Sequence, residues 1–204
     1  MSETISRLRA RSEAVGVPVP QALEERLAAY FDLLFRWNTK INLTSLTDTD
    51  AALDRLLLEP VAAAAAVPKG LRILDIGSGG GSPAIPLALA SEACKLVMVE
   101  SIVKKAAFLR EAARVIELQA TVEAERFEVL AERVTYRGTM DLVSIRAVRM
   151  DPASIRTART FLVPDGVVAL FSSSDVLPAE FSDTPVIPYR ALPLFGTSHL
   201  LLLS

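Results

Sequence analysis

The part of the sequence best suited to chemistry is a glycine-rich turn at residues 75–83, Asp-Ile-Gly-Ser-Gly-Gly-Gly-Ser-Pro. Glycines such as Gly77 and Gly79 adopt positive φ angles without a steric cost and let a ligand approach the backbone closely. A G-x-G turn between a strand and a helix is typical of dinucleotide sites, where the helix N-terminus holds a pyrophosphate. No lysine follows the glycines, which excludes a Walker A phosphate loop.

Two acidic residues accompany this turn. Asp75 precedes the glycines, and Glu100 ends the next apolar segment, 21 residues after Gly79. In doubly wound folds an acid at the position of Glu100 accepts hydrogen bonds from ribose hydroxyls. Asp75 and the exposed amides of the turn are suited to the ammonium and carboxylate of S-adenosylmethionine. The residues by themselves leave both NAD and S-adenosylmethionine open as ligands.

The elements that must position these residues alternate between strands and helices from residue 71 onward. The predicted strands are 71–76, 95–99, 121–123, 141–145 and 166–171, and the predicted helices are 84–92, 102–118 and 154–161. This alternation indicates an α/β fold with an open, mostly parallel sheet. Two final extended segments, 184–191 and 199–203, have no helix between them and are expected to pair antiparallel.

Residues 1–67 are predicted to form a small helical extension beside an α/β domain at 68–204. Apolar residues at spacings of three and four, among them Leu27, Phe31 and Leu34, indicate an amphipathic helix over 22–37. Thr49 or Asp50 is suited to cap a second helix that ends before Pro68. The pattern changes at Gly70, which sets the boundary.

Composition excludes several classes of protein. The 204 residues include one cysteine and one histidine, Cys94 and His199, so an internal disulfide or a Cys/His metal cage is excluded and no metal is expected. The mean hydropathy is +0.36, but no apolar run reaches the ~18 residues of a membrane span. Three arginines by residue 11, with no apolar segment after them, predict no signal peptide. We expect a cytoplasmic protein that does not bind a membrane.

The charge is uneven along the chain. The net charge is −2, but residues 101–160 hold 11 Lys or Arg against 8 Asp or Glu. A surface that binds nucleic acid is therefore predicted in this middle part, although solvated helix faces are the simpler interpretation of charge alone.

Four blocks of the sequence resemble the glucose-inhibited division protein B family, whose members methylate N7 of a guanine in bacterial small-subunit ribosomal RNA. The blocks are 38–44 (NTKINLT), 74–86 (LDIGSGGGSPAIP), 100–111 (ESIVKKAAFLRE) and 141–147 (DLVSIRA). The resemblance implies a class I, Rossmann-like, S-adenosylmethionine-dependent methyltransferase with antiparallel C-terminal strands. It also implies ribosomal RNA, or the small ribosomal subunit, as the partner, and we expect a monomer.

The resemblance and the residues together assign three sets of site residues. The predicted cofactor-binding residues are Asp75, Gly77, Gly79, Ser82, Glu100, Ser101, Phe127, Glu128 and Arg146. The predicted catalytic residues are Arg146, Asn38, Lys40 and Asn42, and the predicted RNA-binding residues are Lys104, Lys105 and Arg110. A structural interpretation stays open for Asn38 and Asn42, whose side chains can hold the 38–44 loop through bonds to its backbone.

The sequence also departs from the pattern of this family. The departures are Leu56 in place of His, Glu59-Pro60 in place of Asp-Ser, Ser82 in place of Phe or Leu, Ala84 in place of Gly, Phe171 in place of Lys, and Ser198 in place of a basic residue. Most of these positions are expected to face the substrate. Two alternatives therefore remain: a diverged methyltransferase with another substrate, and a homologue that binds the cofactor without catalysing transfer.

Overall fold

The strands of the protein lie in one sheet in the computed structural model, which describes residues 2–148, 151–177 and 188–204. The strands are β1 (Arg72–Ile76), β2 (Lys95–Val99), β3 (Ala120–Glu123), β4 (Met140–Arg146), β5 (Leu162–Ser172), β6 (Tyr189–Pro193) and β7 (His199–Leu203). Their order in the sheet is β3-β2-β1-β4-β5-β7-β6. The first five strands run parallel, whereas β7 is antiparallel to both of its neighbours.

This topology confirms the predicted α/β fold with antiparallel C-terminal strands. The predicted strand at 199–203 is β7, with the predicted bounds. The predicted segment at 184–191 overlaps β6, which begins at Tyr189, and residues 184–187 of that prediction lie outside the described residues. The strand predicted at 166–171 is longer than expected, because β5 begins at Leu162.

Helices cover both faces of the sheet. They are α1 (Glu3–Val15), α2 (Gln21–Asn38), α3 (Asp50–Leu53), α4 (Glu59–Ala64), α5 (Ala84–Ala90), α6 (Val103–Val115), α7 (Phe127–Leu130) and α8 (Pro152–Arg159). The prediction missed α7, because four residues are too few to show a helical period. Within the described ranges, no helix is both long enough and apolar enough to cross a bilayer.

The two faces of the sheet bury two separate hydrophobic clusters. Ile73 of β1 belongs to one cluster, and the next residue, Leu74, belongs to the other. Side chains alternate between the faces of a strand, so a sheet covered on both sides needs apolar residues at nearly every strand position. This requirement explains why the strands form continuous apolar segments in the sequence.

The N-terminal helices pack directly against the sheet. Leu27 and Phe31 of α2 are fully buried in the cluster that also contains Ile73 and Leu142. The predicted boundary at residues 67/68 stays a prediction. The shared cluster shows that the helices of the predicted extension support the sheet and the loops at its edge.

A π-helical turn, Asp54–Leu58, joins α3 to α4. Thr49 caps the start of this helical stretch, as predicted. Pro60 has no N–H, so it can donate to neither the carbonyl of Leu56, four residues earlier, nor that of Arg55, five residues earlier. Wide turns of this kind are frequent at functional sites. The side chains of Ser82 and Arg146, both in the pocket described next, donate to these two carbonyls instead.

Candidate active site

A pocket of about 400 Å³ opens at the carboxyl end of β1, beside the ends of β2 and β4. The strand order reverses between the adjacent strands β1 and β4, and ligands of open α/β sheets bind at such a switch point. The lining residues are Leu34, Leu43, Thr44, Ser45, Leu46, Arg55, Leu56, Gly77, Ser78, Gly79, Gly80, Ser82, Glu100, Lys105, Arg146 and Ala147. Their mixture of apolar and polar groups is typical of a small-molecule site.

The glycine turn forms the floor of the pocket and needs glycine for steric reasons. Gly77 has a φ of 69°, and a Cβ atom there would lie 2.4 Å from Cγ2 of Val148. Gly81 has a φ of 89°, and a Cβ atom there would lie 2.8 Å from Cδ1 of Ile85. The amide of Gly77 donates to the carbonyl of Val99 at 2.9 Å, which fixes the turn against the end of β2.

Glu100 lies at the end of β2 and faces the turn. One carboxylate oxygen accepts a hydrogen bond from the amide of Gly79 at 2.9 Å, and the other accepts from the amide of Ile102 at 2.8 Å. Each oxygen of an ionised carboxylate has further acceptor capacity. Glu100 therefore ties the turn to the start of α6 and can still accept hydrogen bonds from a ligand in the pocket.

Asp75 lies beneath the turn and does not line the pocket. Its side chain is fully buried, and Ser144 Oγ donates to Oδ1 at 2.6 Å. Oδ2 has no hydrogen-bond partner among the described residues. Burial raises the pKa of Asp75 to about 6, against the opposing effect of the Ser144 hydrogen bond. A positive charge bound near this end of β1 would stabilise the ionised carboxylate.

Arg146, the last residue of β4, is anchored in the pocket wall. Nη2 donates to Glu59 Oε2 at 2.5 Å, and Nη1 donates to the carbonyl of Arg55 at 2.7 Å and to Ser82 Oγ at 3.0 Å. The guanidinium carbon lies 4.7 Å from the ring centroid of Phe171, in a cation–π contact. Burial lowers the pKa of Arg146 to about 10, although the charge of Glu59 opposes this effect.

Glu59 connects Arg146 to two further residues. Ser198 Oγ donates to Glu59 Oε1 at 2.5 Å, and Nη1 of Arg55 lies 3.2 Å from the same oxygen. Three of the predicted departures from the family pattern, at Glu59, Ser82 and Phe171, thus contact Arg146, and a fourth, at Ser198, joins them through Glu59. They form one connected cluster rather than a set of unrelated changes.

Asn38 holds a loop rather than facing the pocket. Its Oδ1 accepts from the amides of Leu43 at 2.8 Å and Thr44 at 3.0 Å, and its Nδ2 donates to the carbonyl of Thr44 at 3.0 Å. This geometry confirms that the Asn38 side chain holds the 38–44 loop. Lys40 and Asn42 are exposed and do not line the pocket. A catalytic role for Asn38, Lys40 and Asn42 stays a prediction.

The other predicted residues divide between the pocket and its surroundings. Gly77, Gly79, Ser82, Glu100, Lys105 and Arg146 line the pocket, whereas Ser101, Lys104, Arg110, Phe127 and Glu128 do not. The Arg110 guanidinium donates to the carbonyl of Val122 at 2.9 Å. Phe127 packs against the hydrophobic cluster that contains Leu74.

The structure also brings in residues that the sequence analysis did not select. Tyr30 lies in the helix predicted over 22–37, and its hydroxyl donates to the carbonyl of Gly80 at 2.6 Å. Arg55 lines the pocket from the π-helical turn, and its partner Glu59, noted in the sequence only as a departure from the family pattern, begins α4. Ala147 lines the pocket with a φ of 55°, a conformation that few non-glycine residues adopt. No local sequence signal marks any of these roles.

The sequence profile of the GidB family, described as rRNA small subunit methyltransferase G, matches residues 23–175. The chain belongs to this family. It is 36% identical over 183 residues to ribosomal RNA small subunit methyltransferase G of Gluconobacter oxydans, a match that covers 86% of this chain and 91% of the relative. The protein of the same name from Stenotrophomonas maltophilia is 35% identical over 186 residues, with 88% and 85% covered.

Solved structures support the fold of this GidB family member. A SAM dependent methyltransferase from Aquifex aeolicus aligns with a TM-score of 0.57 at 13% identity, covering 76% of this chain and 93% of that one. The tRNA (uracil-54, C5)-methyltransferase of Pyrococcus abyssi, solved with S-adenosyl-L-homocysteine, aligns with a TM-score of 0.55 at 20% identity, covering 80% and 40%. Fold and family together confirm the predicted Rossmann-like methyltransferase and its cofactor, S-adenosylmethionine.

Proposed function

We propose that this family member transfers a methyl group from S-adenosylmethionine to N7 of a guanine in small-subunit (16S) ribosomal RNA. One observation carries the proposal: the same pocket is lined by an acid and by two cations. Glu100 stands at the end of β2, as ribose-binding acids do, while Arg55 and Lys105 line the same pocket. An acid suits the hydroxyls of a nucleoside, and cations suit the phosphates of RNA.

The described residues fit S-adenosylmethionine. When bound, this cofactor supplies an electrophilic methyl group on a sulfonium. Glu100 has acceptor capacity left for ribose hydroxyls, and the glycine floor lets a ligand approach the backbone. Oδ2 of Asp75 lies beneath the floor and has no hydrogen-bond partner in the described ranges, so it suits a nearby ammonium group. We propose that the cofactor extends beyond this pocket and contacts Ser101, Phe127 and Glu128 there.

The proposed reaction needs little acid–base catalysis from the protein. Guanine N7 already carries a lone pair, so the attack on the methyl group needs no general base. The only histidine, His199, does not line the pocket and lies near the carbonyl of Thr197. The residues of the pocket therefore act by positioning and by electrostatics. A paired guanine has to be splayed out of its helix to enter.

The RNA is proposed to approach over the start of α6 and the 38–44 loop. Lys104 is exposed and Lys105 lines the pocket, so both are suited to contact phosphates. Arg110 is proposed to contribute at the rim, although one of its N–H groups already binds Val122. Lys40 and Asn42, both exposed, are proposed to face the RNA. We propose a cytoplasmic monomer.

Methyl transfer tests the proposal directly. Purified protein is incubated with tritiated S-adenosylmethionine and either small ribosomal subunits or free small-subunit RNA from cells that lack this activity. We expect label in the RNA, and we expect 7-methylguanine after nuclease digestion and mass spectrometry. Glu100→Gln should weaken cofactor binding at least tenfold by calorimetry. Glu132→Gln, an exposed carboxyl before the amino end of β4, is the matched control and should leave it unchanged.

The same experiment separates the alternatives. Cofactor binding with no transfer to either RNA substrate would indicate a methyltransferase with another substrate or a homologue without catalysis. Absence of binding to both S-adenosylmethionine and its demethylated product would refute the enzymatic proposal.

A further inference from the structure

Three charged side chains share one side of the pocket. The carboxylate of Glu59 lies between the guanidinium groups of Arg146 and Arg55, at 2.5 Å and 3.2 Å. One negative and two positive charges leave a surplus of one positive charge in this wall. The arginine that presents this surplus charge to a ligand is the one whose N–H groups are not all bonded within the protein.

The guanidinium of Arg146 is bonded within the protein. Both of its terminal nitrogens donate to protein acceptors, on Glu59, Arg55 and Ser82. Its Nε is buried and has no hydrogen-bond partner in the part of the chain described. Only 7% of the side chain is exposed, and the ring of Phe171 covers one face. Arg146 therefore anchors the wall and neutralises Glu59.

The guanidinium of Arg55 is bonded through only one of its three nitrogens to the described residues. Its hydrogen bonds to described residues all come from Nη1, to the two oxygens of Glu59 and to Ser198 Oγ. Nε and Nη2 bind none of the described residues, and 41% of the side chain is exposed. Arg55 lines the pocket, so it presents the surplus positive charge there, and its Nε and Nη2 can donate to a ligand.

We propose that Glu59 is the positioning residue of this enzyme and that Arg55, rather than Arg146, is the cation that it presents to the RNA substrate. The inference rests on the proposed function and adds the specific contact. An arginine whose Nε and Nη2 bind none of the described residues suits a phosphate or the O6 edge of a guanine, which are both acceptor groups. The carboxylate fixes the direction of the Arg55 guanidinium, because Glu59 follows Arg55 by four residues and the two side chains form an ion pair at 3.2 Å.

The salt dependence of RNA binding tests the contact. Binding of small-subunit RNA is measured by fluorescence anisotropy over a range of salt concentrations. Arg55→Gln should weaken binding about tenfold at low salt and reduce the slope of log K against log salt by about 1. Its affinity for S-adenosylmethionine should stay within about twofold of wild type.

Two further variants serve as comparisons. Arg137→Gln removes an exposed arginine before the amino end of β4, at the edge of the sheet opposite the pocket, and should leave the slope unchanged. Arg146→Lys should lower thermal stability and cofactor affinity without changing the slope. A slope that changes with Arg146→Lys and not with Arg55→Gln would overturn the assignment, and so would a slope that changes with neither.

Arginine labelling tests the positioning role without RNA. Free protein is treated with phenylglyoxal, and modified peptides are quantified by mass spectrometry. We expect Arg55 to react at least tenfold faster than Arg146. Glu59→Gln should raise the reactivity of Arg146, and Glu59→Asp, which keeps the charge, should restore part of the protection. Equal labelling of the two arginines in the wild type would overturn the role of Glu59.

Activity measurements complete the test of positioning. Glu59→Asp is the milder change, and we expect this variant to fold. Its kcat should fall more than tenfold, while its KM for S-adenosylmethionine should change less than threefold. Equal loss in both, or in neither, contradicts a positioning role. The labelling result is obtained whether or not the wild type methylates ribosomal RNA, so failure of the proposed function and failure of this inference are distinguishable.

Discussion

The hydroxyl of Ser82 donates a hydrogen bond to the carbonyl oxygen of Leu56 over 2.8 Å. This carbonyl lies four residues before Pro60, which has no N–H to offer it. The same hydroxyl accepts from Nη1 of Arg146 at 3.0 Å. Ser82 therefore links the cofactor loop, the π-helical turn and β4 through one oxygen atom.

Ser82→Ala should destabilise the protein by about 1–3 kcal/mol, because it leaves a buried carbonyl and a guanidinium N–H each short of one partner. Urea unfolding measures the change. Ser6→Ala, at an exposed serine of α1, is the matched control and should stay within about 0.5 kcal/mol. A loss for Ser82→Ala no larger than that of the control would contradict this linking role.

Gly77→Ala should abolish or strongly weaken binding of S-adenosylmethionine, by at least tenfold in calorimetry. The added Cβ would lie 2.4 Å from Val148 in a backbone with φ of 69°. Gly16, after α1, has the same φ and no atom within 4 Å of an added Cβ. Gly16→Ala therefore carries only the backbone strain. It should cost about 1 kcal/mol of stability and leave cofactor binding intact. Equal binding by the two variants would refute the steric argument.

Asp75→Asn should change how stability depends on pH. The pKa of Asp75 is raised to about 6 from 3.8, chiefly by burial, so the folded state favours the protonated acid. The folded state binds more protons than the unfolded state in this window, so Asp75 lowers stability as pH rises from about 4 through 6. The asparagine cannot ionise and lacks this loss.

Unfolding by urea at pH 4.5, 6.0 and 7.5 checks this prediction. The stability of Asp75→Asn relative to wild type should increase mainly between pH 4.5 and 6.0 and level off towards pH 7.5. Asp165→Asn, at an exposed position of β5, is the control and should run parallel to wild type. A parallel curve for Asp75→Asn as well would show that Asp75 does not titrate as proposed.

Tyr30→Phe should loosen the cofactor loop. The hydroxyl of this fully buried residue donates to the carbonyl of Gly80 at 2.6 Å, and its loss leaves that carbonyl with one partner fewer. We expect a loss of about 1–2 kcal/mol in stability and weaker binding of S-adenosylmethionine in calorimetry. Tyr189→Phe, at an exposed tyrosine of β6, should change neither quantity. If the two variants bind the cofactor with the same affinity, the Tyr30 hydrogen bond from α2 does not support cofactor binding by the loop.

The sequence by itself determined the features that depend on neighbours along the chain. Continuous apolar segments located β1, β2, β4 and β7 closely, because strands buried on both faces need apolar side chains at nearly every position. The glycine turn was recognisable because positive φ angles restrict the choice of residue. Glu100 was found because a βαβ unit has a narrow range of lengths, so the acid that ends its second strand falls at a recognisable distance from the glycines.

Only the tertiary structure decided which side chains meet in the pocket wall. Glu59 and Arg146 are 87 residues apart, and Glu59 and Ser198 are 139 residues apart. No periodicity or spacing records such a meeting, because it depends on the order of strands in the sheet and on the helices packed across its edge. The same distinction explains Asn38, whose residue type suited both catalysis and loop support. Its hydrogen bonds to Leu43 and Thr44 became visible only when the loop was folded.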